Sequence, residues 1–329
     1  MKNKLTRALI GFVFGVAAAS AATAKELKLA DFLPPSHPYA TDVYAPLSEQ
    51  VKAKTRGEVT VRVFMGGELG PGPVEQFNRA ASGVVDIAFG LPGYTASTFP
   101  KTLLTELPGV IHPETGTERV LANLSSLNKE YRRVVLLGLW TNSPNVLLMA
   151  TKPVRSLNDI KGLKIRTPSR NAGRVLEAWG ASPVSMPATD IYNAMQTGVI
   201  DGAMIDATTL QTFKLGEVTK YITQGMNSTI SSFFLIMNRD SYASLSPTNQ
   251  NALQEAGKVA SMNANKVQLN VSNKALAAFK GVPGKEVITL PANEAALFNA
   301  ASEKVTAQII SESDAAGLEA TAYIKSLKK

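Results

Sequence analysis

Apolar and polar positions along this chain fall into short alternating runs, helical periods and proline- or glycine-rich breaks. Leu27-Lys28-Leu29-Ala30 changes character at every second residue and predicts a strand. Pro34, Pro35 and Pro38 then force a loop. Val43, Leu47 and Val51 recur at helical spacing, so a helix with one apolar face is expected, ended by Gly57. Val59 to Phe64 alternates again as a strand. A glycine- and proline-rich loop from Met65 to Pro73 leads to a helix expected from about Val74 to Ser82. Strand, helix, strand, helix in this order predicts an α/β domain with a largely parallel sheet.

One unit of this pattern occurs twice. Asn78, Gly83, Val84, Val85, Asp86 and Ala88 match Asn193, Gly198, Val199, Ile200, Asp201 and Ala203 at a constant offset of 115 residues. Each copy reads as a helix closed by a left-handed Gly, followed by a buried strand. Val59 to Phe64 is expected to correspond to Leu163 to Thr167 in the second copy. Two lobes of similar construction follow. Lobe I is expected over 25–143 and 231–270, and lobe II over 144–230 and 271–329.

Such folds bind ligands beyond the carboxyl ends of their strands. The loops to search are therefore Phe32 to Tyr39, Met65 to Pro73, Leu91 to Phe99, Arg166 to Arg170 and Ile205 to Thr208. The last third is mainly helical. Ser246-Pro247 starts a run broken only by Gly257 before Gly281, long enough as a helix to lie across both lobes. Val287 to Leu290 reads as a short strand, and two packing helices complete the tail.

Composition changes the picture at the amino end. The formal charge is +8, but Lys2, Lys4 and Arg7 precede an apolar run from Ala8 to Ala19 and the small residues Ala22-Thr23-Ala24. That is the pattern of a cleavable secretory signal over 1–24, with cleavage expected between Ala21 and Ala24. An uncleaved anchor is the alternative, but the run is short for a span and no stop-transfer flank follows. Removal leaves +5, dispersed and without aromatic interleaving, so nucleic acid is not an expected partner. With 329 residues, 18% charged and 45% hydrophobic, the chain has the length and composition of two folded domains. The absence of Cys removes disulfides, Cys nucleophiles and thiolate metal sites, and two His leave little material for a zinc site or a Ser-His triad.

Gly162-Leu163-Lys164-Ile165-Arg166-Thr167-Pro168, together with the segment Asp190 to Gly202, carries a resemblance. The chain resembles the DctP-type solute-binding proteins of tripartite ATP-independent periplasmic (TRAP) transporters, and Gly67-Glu68-Leu69-Gly70 and Gly83 to Asp86 extend the likeness. The resemblance implies a two-lobed periplasmic-binding-protein fold, type II-like, with hinge strands and a long helix bridging both lobes. It also implies capture of an organic acid by lobe closure in the periplasm, and delivery to membrane permease subunits. The expectation is a protein that is not an enzyme, needs no cofactor or metal and acts as a monomer, and that is not itself membrane-embedded, because no apolar run after the signal is long enough to span a bilayer. The family's carboxylate-clamping Arg falls on Arg166, and a guanidinium fork suits a carboxylate at any relevant pH.

Departures from the family pattern narrow the expected ligand. Where sugar-acid-binding members carry polar side chains, this chain has Phe32, Leu91, Val146 and Ile205, and Ala188 stands where such members have an aromatic. An apolar wall favours a monocarboxylate with an aromatic or branched apolar body. Asp206 reads equally as an acceptor for a ligand group or as a helix cap. Tyr94 reads as a pocket wall and hydroxyl donor, or as an ordinary loop residue. Phe32 and His37 lie in the first strand-to-helix loop, where crevice lining and plain packing are both open, and Asn142 is a crossover-region candidate. Trp179 fits a core helix face and His112 a loop. An exported enzyme on the same fold and a sensor subunit serving a membrane receptor remain the rival classes; no G-x-S-x-G or metal-ligand spacing supports the former.

Overall fold

The computed structural model describes residues 24–328. The signal expected over 1–24 therefore lies outside the described residues except for Ala24. Eleven strands run in chain order: β1 (Lys25–Ala30), β2 (Val59–Phe64), β3 (Ile87–Gly90), β4 (Val134–Pro144), β5 (Val146–Met149), β6 (Lys164–Thr167), β7 (Ser182–Ser185), β8 (Gly202–Ile205), β9 (Tyr221–Gln224), β10 (Ile230–Asn238) and β11 (Glu286–Thr289). They form two sheets, one ordered β2-β1-β3-β10-β4 and the other β11-β9-β5-β8-β6-β7. The fold is a two-lobed α/β architecture, as the strand–helix order predicts.

Each sheet owes its order to the same local unit. In the five-stranded lobe β1 pairs in parallel with β2 and β3, and Ala30 stands opposite Ala88. In the six-stranded lobe β6 pairs in parallel with β7 and β8, and Arg166 stands opposite Ala203. Gly83 and Gly198 close the preceding helices with φ of 77° and 72°, a conformation open to Gly at little cost. The Asp of each unit then holds the neighbouring strand. Asp86 Oδ2 accepts from the Lys28 amide at 2.9 Å, and Asp201 Oδ2 from the Lys164 amide at 2.8 Å. The register corrects one correspondence. The counterpart of β6 is β1, and β2 corresponds to β7, because the second copy's edge strand follows its helix just as β2 follows the helix Ala45–Lys54.

The lobes are joined where strands cross between sheets. Only Asn145 separates β4 from β5, and residues 225–229 carry the chain back from β9 to β10. Asn145 and Thr229 pair through an amide-to-carbonyl bond of 3.0 Å and a side-chain bond of 2.8 Å. β10 slips register against β4 between Ile230 and Ser232, a bulge that bends the ladder at the crossing. The helix Pro247–Lys280 provides a third link. Its 34 residues extend for about 51 Å. Leu253, Ala256, Ala260 and Ala264 pack under the five-stranded sheet, while Ala275 and Phe279 pack under the other. Gly257 is required where this helix meets β4, since an added Cβ would strike the Leu137 carbonyl. Among the described residues no helix is long and apolar enough to cross a membrane. Trp179 is core, with its indole nitrogen donating to Ser302 Oγ at 2.9 Å, and His112 is an exposed loop residue.

Candidate functional site

A cavity opens between the carboxyl-end loops of the two sheets. Phe32 and His37 reach it from the loop after β1, and Tyr94 from the turn Pro92–Thr95 after β3. Asn142 comes from the bulged end of β4 and Arg166 from β6; Ala188 follows β7 and Asp206 follows β8. All seven residues singled out from the sequence therefore line one cavity. Leu91 and Ile205 line it as well, whereas Val146 is buried in β5 outside its lining. Non-protein space in the cavity, its mouth included, is about 470 Å³.

One searched loop does not contribute. Nothing from Met65 to Pro73 lines the cavity. β2 is the edge strand of its sheet, so its loop passes beneath the first loop instead, with the Gly66 amide donating to Leu33 O at 2.7 Å and the Gly67 amide to Asp31 O at 3.0 Å. Those bonds tie down the backbone on either side of Phe32.

Arg166 occupies an interior strand and is 1% exposed. Its Nε donates to Met186 O at 2.9 Å and its Nη2 to the Tyr94 hydroxyl at 3.4 Å. Burial pulls its pKa down, partly offset by Tyr94 and by Asp206 and Asp190 acting through space. Among the described residues no carboxylate lies within ion-pairing distance of it. Water is the usual counterweight for such a charge, and removing it costs several kcal/mol. The Tyr94 hydroxyl also accepts from the Ala188 amide at 3.0 Å, so the five-stranded lobe touches both Arg166 and its neighbouring turn. With two donors directed at its oxygen, Tyr94 keeps its own proton to donate.

Asp206 is held by three hydrogen bonds. Oδ1 accepts from the Thr208 amide at 3.0 Å and from the Thr208 hydroxyl, and Oδ2 accepts from Asn142 Nδ2 at 3.0 Å. Burial raises its pKa and these bonds lower it. The bond to Thr208 closes an Asx turn before the short helix Thr209–Thr212, whose N-cap is Thr208 and which has no side-chain cap, so Asp206 is not the helix cap that the sequence allowed; its placement lines the cavity. Asn142 spends its other end on the Ser231 amide at 2.8 Å, which ties Asp206 to the strand crossing.

The five-stranded lobe provides the apolar wall. Phe32 stacks on Phe89 with ring centroids 5.3 Å apart, and Phe89 stacks on Phe233 at 5.3 Å. Trp140 lies 5.7 Å from Phe89 on the same stack. His37 Nδ1 accepts from the Tyr39 amide at 3.1 Å, which leaves the proton of a neutral ring on Nε2. Burial pushes its pKa down to about 4, so the ring is neutral at pH 7. Arg166 is then the one cationic side chain lining the cavity among the described residues.

Sequence reasoning missed Phe233 and Gln268, both of which line this cavity. Phe233 was visible only as part of the apolar run that became β10. Gln268 had a readable signal: it continues the buried face of Ala260 and Ala264 at helical spacing, where a polar residue is out of place. Among the described residues, no cluster of side chains able to hold a metal ion is found.

Comparison with known proteins places this geometry. An uncharacterized protein from Salmonella typhimurium is 30% identical over 218 residues, covering 64% of this chain and 66% of that one; the chain thus matches just under two thirds of its length. The C4-dicarboxylate-binding periplasmic protein of Rhodobacter capsulatus is 27% identical over 98% of both chains. A marine metagenome TRAP solute-binding protein specific for aromatic acids, solved with 3-hydroxybenzoate, superposes with a TM-score of 0.84 at 26% identity, over 93% of this chain and 97% of that one. A TRAP solute-binding protein from Rhodoferax ferrireducens, solved with copurified benzoate, gives 0.85 at 25% identity, over 92% and 96%. The profile of the bacterial extracellular solute-binding proteins of family 7 (DctP) matches residues 29–313, and the chain belongs to that family.

Proposed function

We propose that this protein is the periplasmic receptor of a TRAP-type transporter for an organic monocarboxylate with an aromatic or branched apolar body. One observation carries the reading: Arg166 is a buried cation with no carboxylate in ion-pairing distance among the described residues, placed beside an aromatic wall. A ligand carboxylate supplies the missing charge through the guanidinium fork, assisted by the Tyr94 hydroxyl. The ligand body lies against Phe32, Leu91 and Phe233, where burial of apolar area contributes about 25 cal/mol per Å². Asn142 and Asp206 hold the lobes in register around it. The aromatic acids bound by the metagenome and Rhodoferax proteins agree with this body. A dicarboxylate, as named for the Rhodobacter relative, needs a second cation, and His37 is neutral.

The mechanism involves no covalent step. In the open form the acid meets Arg166; rotation about Asn145 and residues 225–229 then brings Tyr94 onto Arg166 and Ala188. Closure is favoured because the closed form offers contacts to the acid that the open form lacks. The closed surface is what permease subunits receive. A thermal-shift screen of organic acids tests this reading, since a bound ligand raises stability by mass action. Aromatic monocarboxylates are expected to raise the midpoint. Tight binding confined to sialate or to small dicarboxylates such as succinate would sink the proposal, and turnover of any bound acid would favour the exported-enzyme reading.

A further inference from the structure

The cavity meets solvent at few of its residues. Of those that line it, all but Tyr94, Thr212 and Phe213 are buried. Tyr94 is engaged with Arg166 and with the Ala188 amide, where a carboxylate would be held. Thr212 spends its hydroxyl on Thr208 O at 3.1 Å. Phe213 has no polar duty. Its ring is partly buried and packs on two cores at once: the aromatic core of the five-stranded lobe, to which Phe32, Phe89 and Phe233 belong, and the core of the six-stranded lobe around Ile205 and Leu210. A side chain that lines a cavity, touches both lobes and still meets solvent stands at the rim of that cavity.

The backbone fixes it there. Thr209 Oγ1 donates to Asp206 O at 2.6 Å at the start of the helix Thr209–Thr212, so the segment hangs from the end of β8. The Phe213 amide donates to Thr209 O at 3.2 Å, and Lys214 then takes φ of 55°, left-handed without being Gly. Such a residue persists only where its surroundings over-determine it. Its amide donates to Gln211 O at 3.2 Å, and the chain turns at once into the helix Leu215–Val218. Phe213 is therefore the corner of a tight double turn, carried by one lobe and seated against the other. Part of its packing exists only when the lobes are together. A ligand body that ends short of the ring adds apolar burial and leaves this contact intact. A body that reaches the ring must displace it from both cores, and closure then no longer favours binding.

We propose that Phe213 is a specificity-determining residue: it closes the cavity over the acid's body and limits how long that body can be, so that the receptor takes compact apolar monocarboxylates and rejects their chain-extended homologues. This rests on the proposed function above and adds a size limit to it. Arg166 recognises the charge common to all the acids, and Phe213 recognises where the body ends.

Isothermal titration of the purified chain against a series from benzoate through phenylacetate, 3-phenylpropionate and 4-phenylbutyrate to 5-phenylpentanoate tests it. Each added methylene that still fits is expected to tighten binding by up to about fourfold. The first that does not fit should weaken it by about tenfold or more. Phe213→Ala is expected to move that break to a longer acid, and Phe213→Trp to a shorter one. Affinity that keeps rising through 5-phenylpentanoate in the unmutated chain overturns the inference, whatever the variants' folding. A break that stays at the same acid in either folded variant also overturns it, since another wall then sets the limit. Equal weakening of every acid in Phe213→Ala does the same, because a purely structural role predicts that result. Binding of none of these acids overturns the proposed function together with this refinement, whereas binding without a length limit overturns the refinement alone.

Discussion

Ala30 and Arg166 occupy the same place in the same scaffold. Ala30 pairs with Ala88 and Arg166 with Ala203, and Ala88 and Ala203 are the matched positions of the repeated unit. The residue after the next strand follows suit: Leu91 after β3, Asp206 after β8. At both positions the five-stranded lobe is apolar and the six-stranded lobe charged. A shared backbone thus fixes where side chains point, and the choice of side chain divides the labour, one lobe gripping charge and the other offering an aromatic face. The charges draw supports from both lobes, Met186 O and Tyr94 for Arg166, Thr208 and Asn142 for Asp206. Charge needs such partners, whereas stacked rings need only one another.

The largest expected effect comes from erasing this difference. Arg166→Ala makes the second lobe's strand end resemble the first. Truncating one member of a buried, hydrogen-bonded charge pair costs about 2–5 kcal/mol of binding, so the thermal shift from any aromatic acid should vanish at millimolar ligand. Arg166→Lys keeps the charge but loses the fork, and should bind in between. An unchanged shift in Arg166→Ala would move the carboxylate site elsewhere.

Buried titratable groups also make stability depend on pH. Asp31 and Glu106 belong to the five-stranded lobe, and burial raises the pKa of each to about 7. Glu106 accepts from Ser169 Oγ of the other lobe at 2.7 Å and leaves Oε1 unpartnered. In the unfolded chain the Glu106 carboxyl loses its proton near pH 4.3; in the folded chain it keeps it to about 7. Between those values the folded state binds more protons, so stability falls as pH rises, by on the order of 3 kcal/mol for one such group. His37 has the opposite sign: held near 4, it contributes stability that is lost as pH falls from about 6.5 toward 4. Melting curves from pH 5 to 8 should show a shallower decline for Glu106→Gln than for the unmutated chain. Identical slopes would mean that Glu106 does not titrate in this range. His37→Phe should steepen the same decline, because it removes the opposing contribution.

The third expected effect is a packing one. The long helix approaches the five-stranded sheet through Gly257 and Ser261 against Leu137 and Gly138, with no room for a side chain. Toward the six-stranded sheet the contact is made by Ala275 and Phe279. Gly257→Ala should therefore lower stability by about 1–3 kcal/mol through overpacking, despite the higher helix propensity of Ala. A gain in melting temperature would mean that the helix can shift away from β4.

What could be read in the sequence follows the range of the interactions concerned. The repeated unit, the first two strands, the left-handed glycines and the long helix are set by neighbours within a few residues, and each is present in the fold. Tyr94 and Phe32 were found because they follow strands, and Arg166 because the family resemblance placed it near the end of one; the ends of strands face the crevice. The pairing of β2 with β7 across the repeat was misread, because alternation identifies a strand without saying which neighbour it takes. Phe233 and Gln268 were missed for a related reason. β10 returns to the first sheet after five strands have formed elsewhere, and Gln268 arrives on a helix whose position depends on both sheets. Long-range topology placed these residues.

The finest test of the likeness between the lobes uses the two aspartates of the repeat. Asp86→Ala and Asp201→Ala each remove the acceptor for a strand amide, Lys28 or Lys164, and a hydrogen bond of this kind is worth about 1 kcal/mol. If the units are equivalent, both variants should lose that much. Asp86 has a further partner that Asp201 lacks: its Oδ1 accepts from Ser241 Oγ at 2.6 Å, tying the first unit to the helix Arg239–Ala243. Asp86→Ala should therefore be the more destabilising, and Ser241→Ala should remove most of the difference. Chemical unfolding of the three variants and of the Asp86/Ser241 double variant decides this. Additivity in the double variant would show that the Ser241 contact is independent of the aspartate, and the two units would then differ in nothing but their crevice residues.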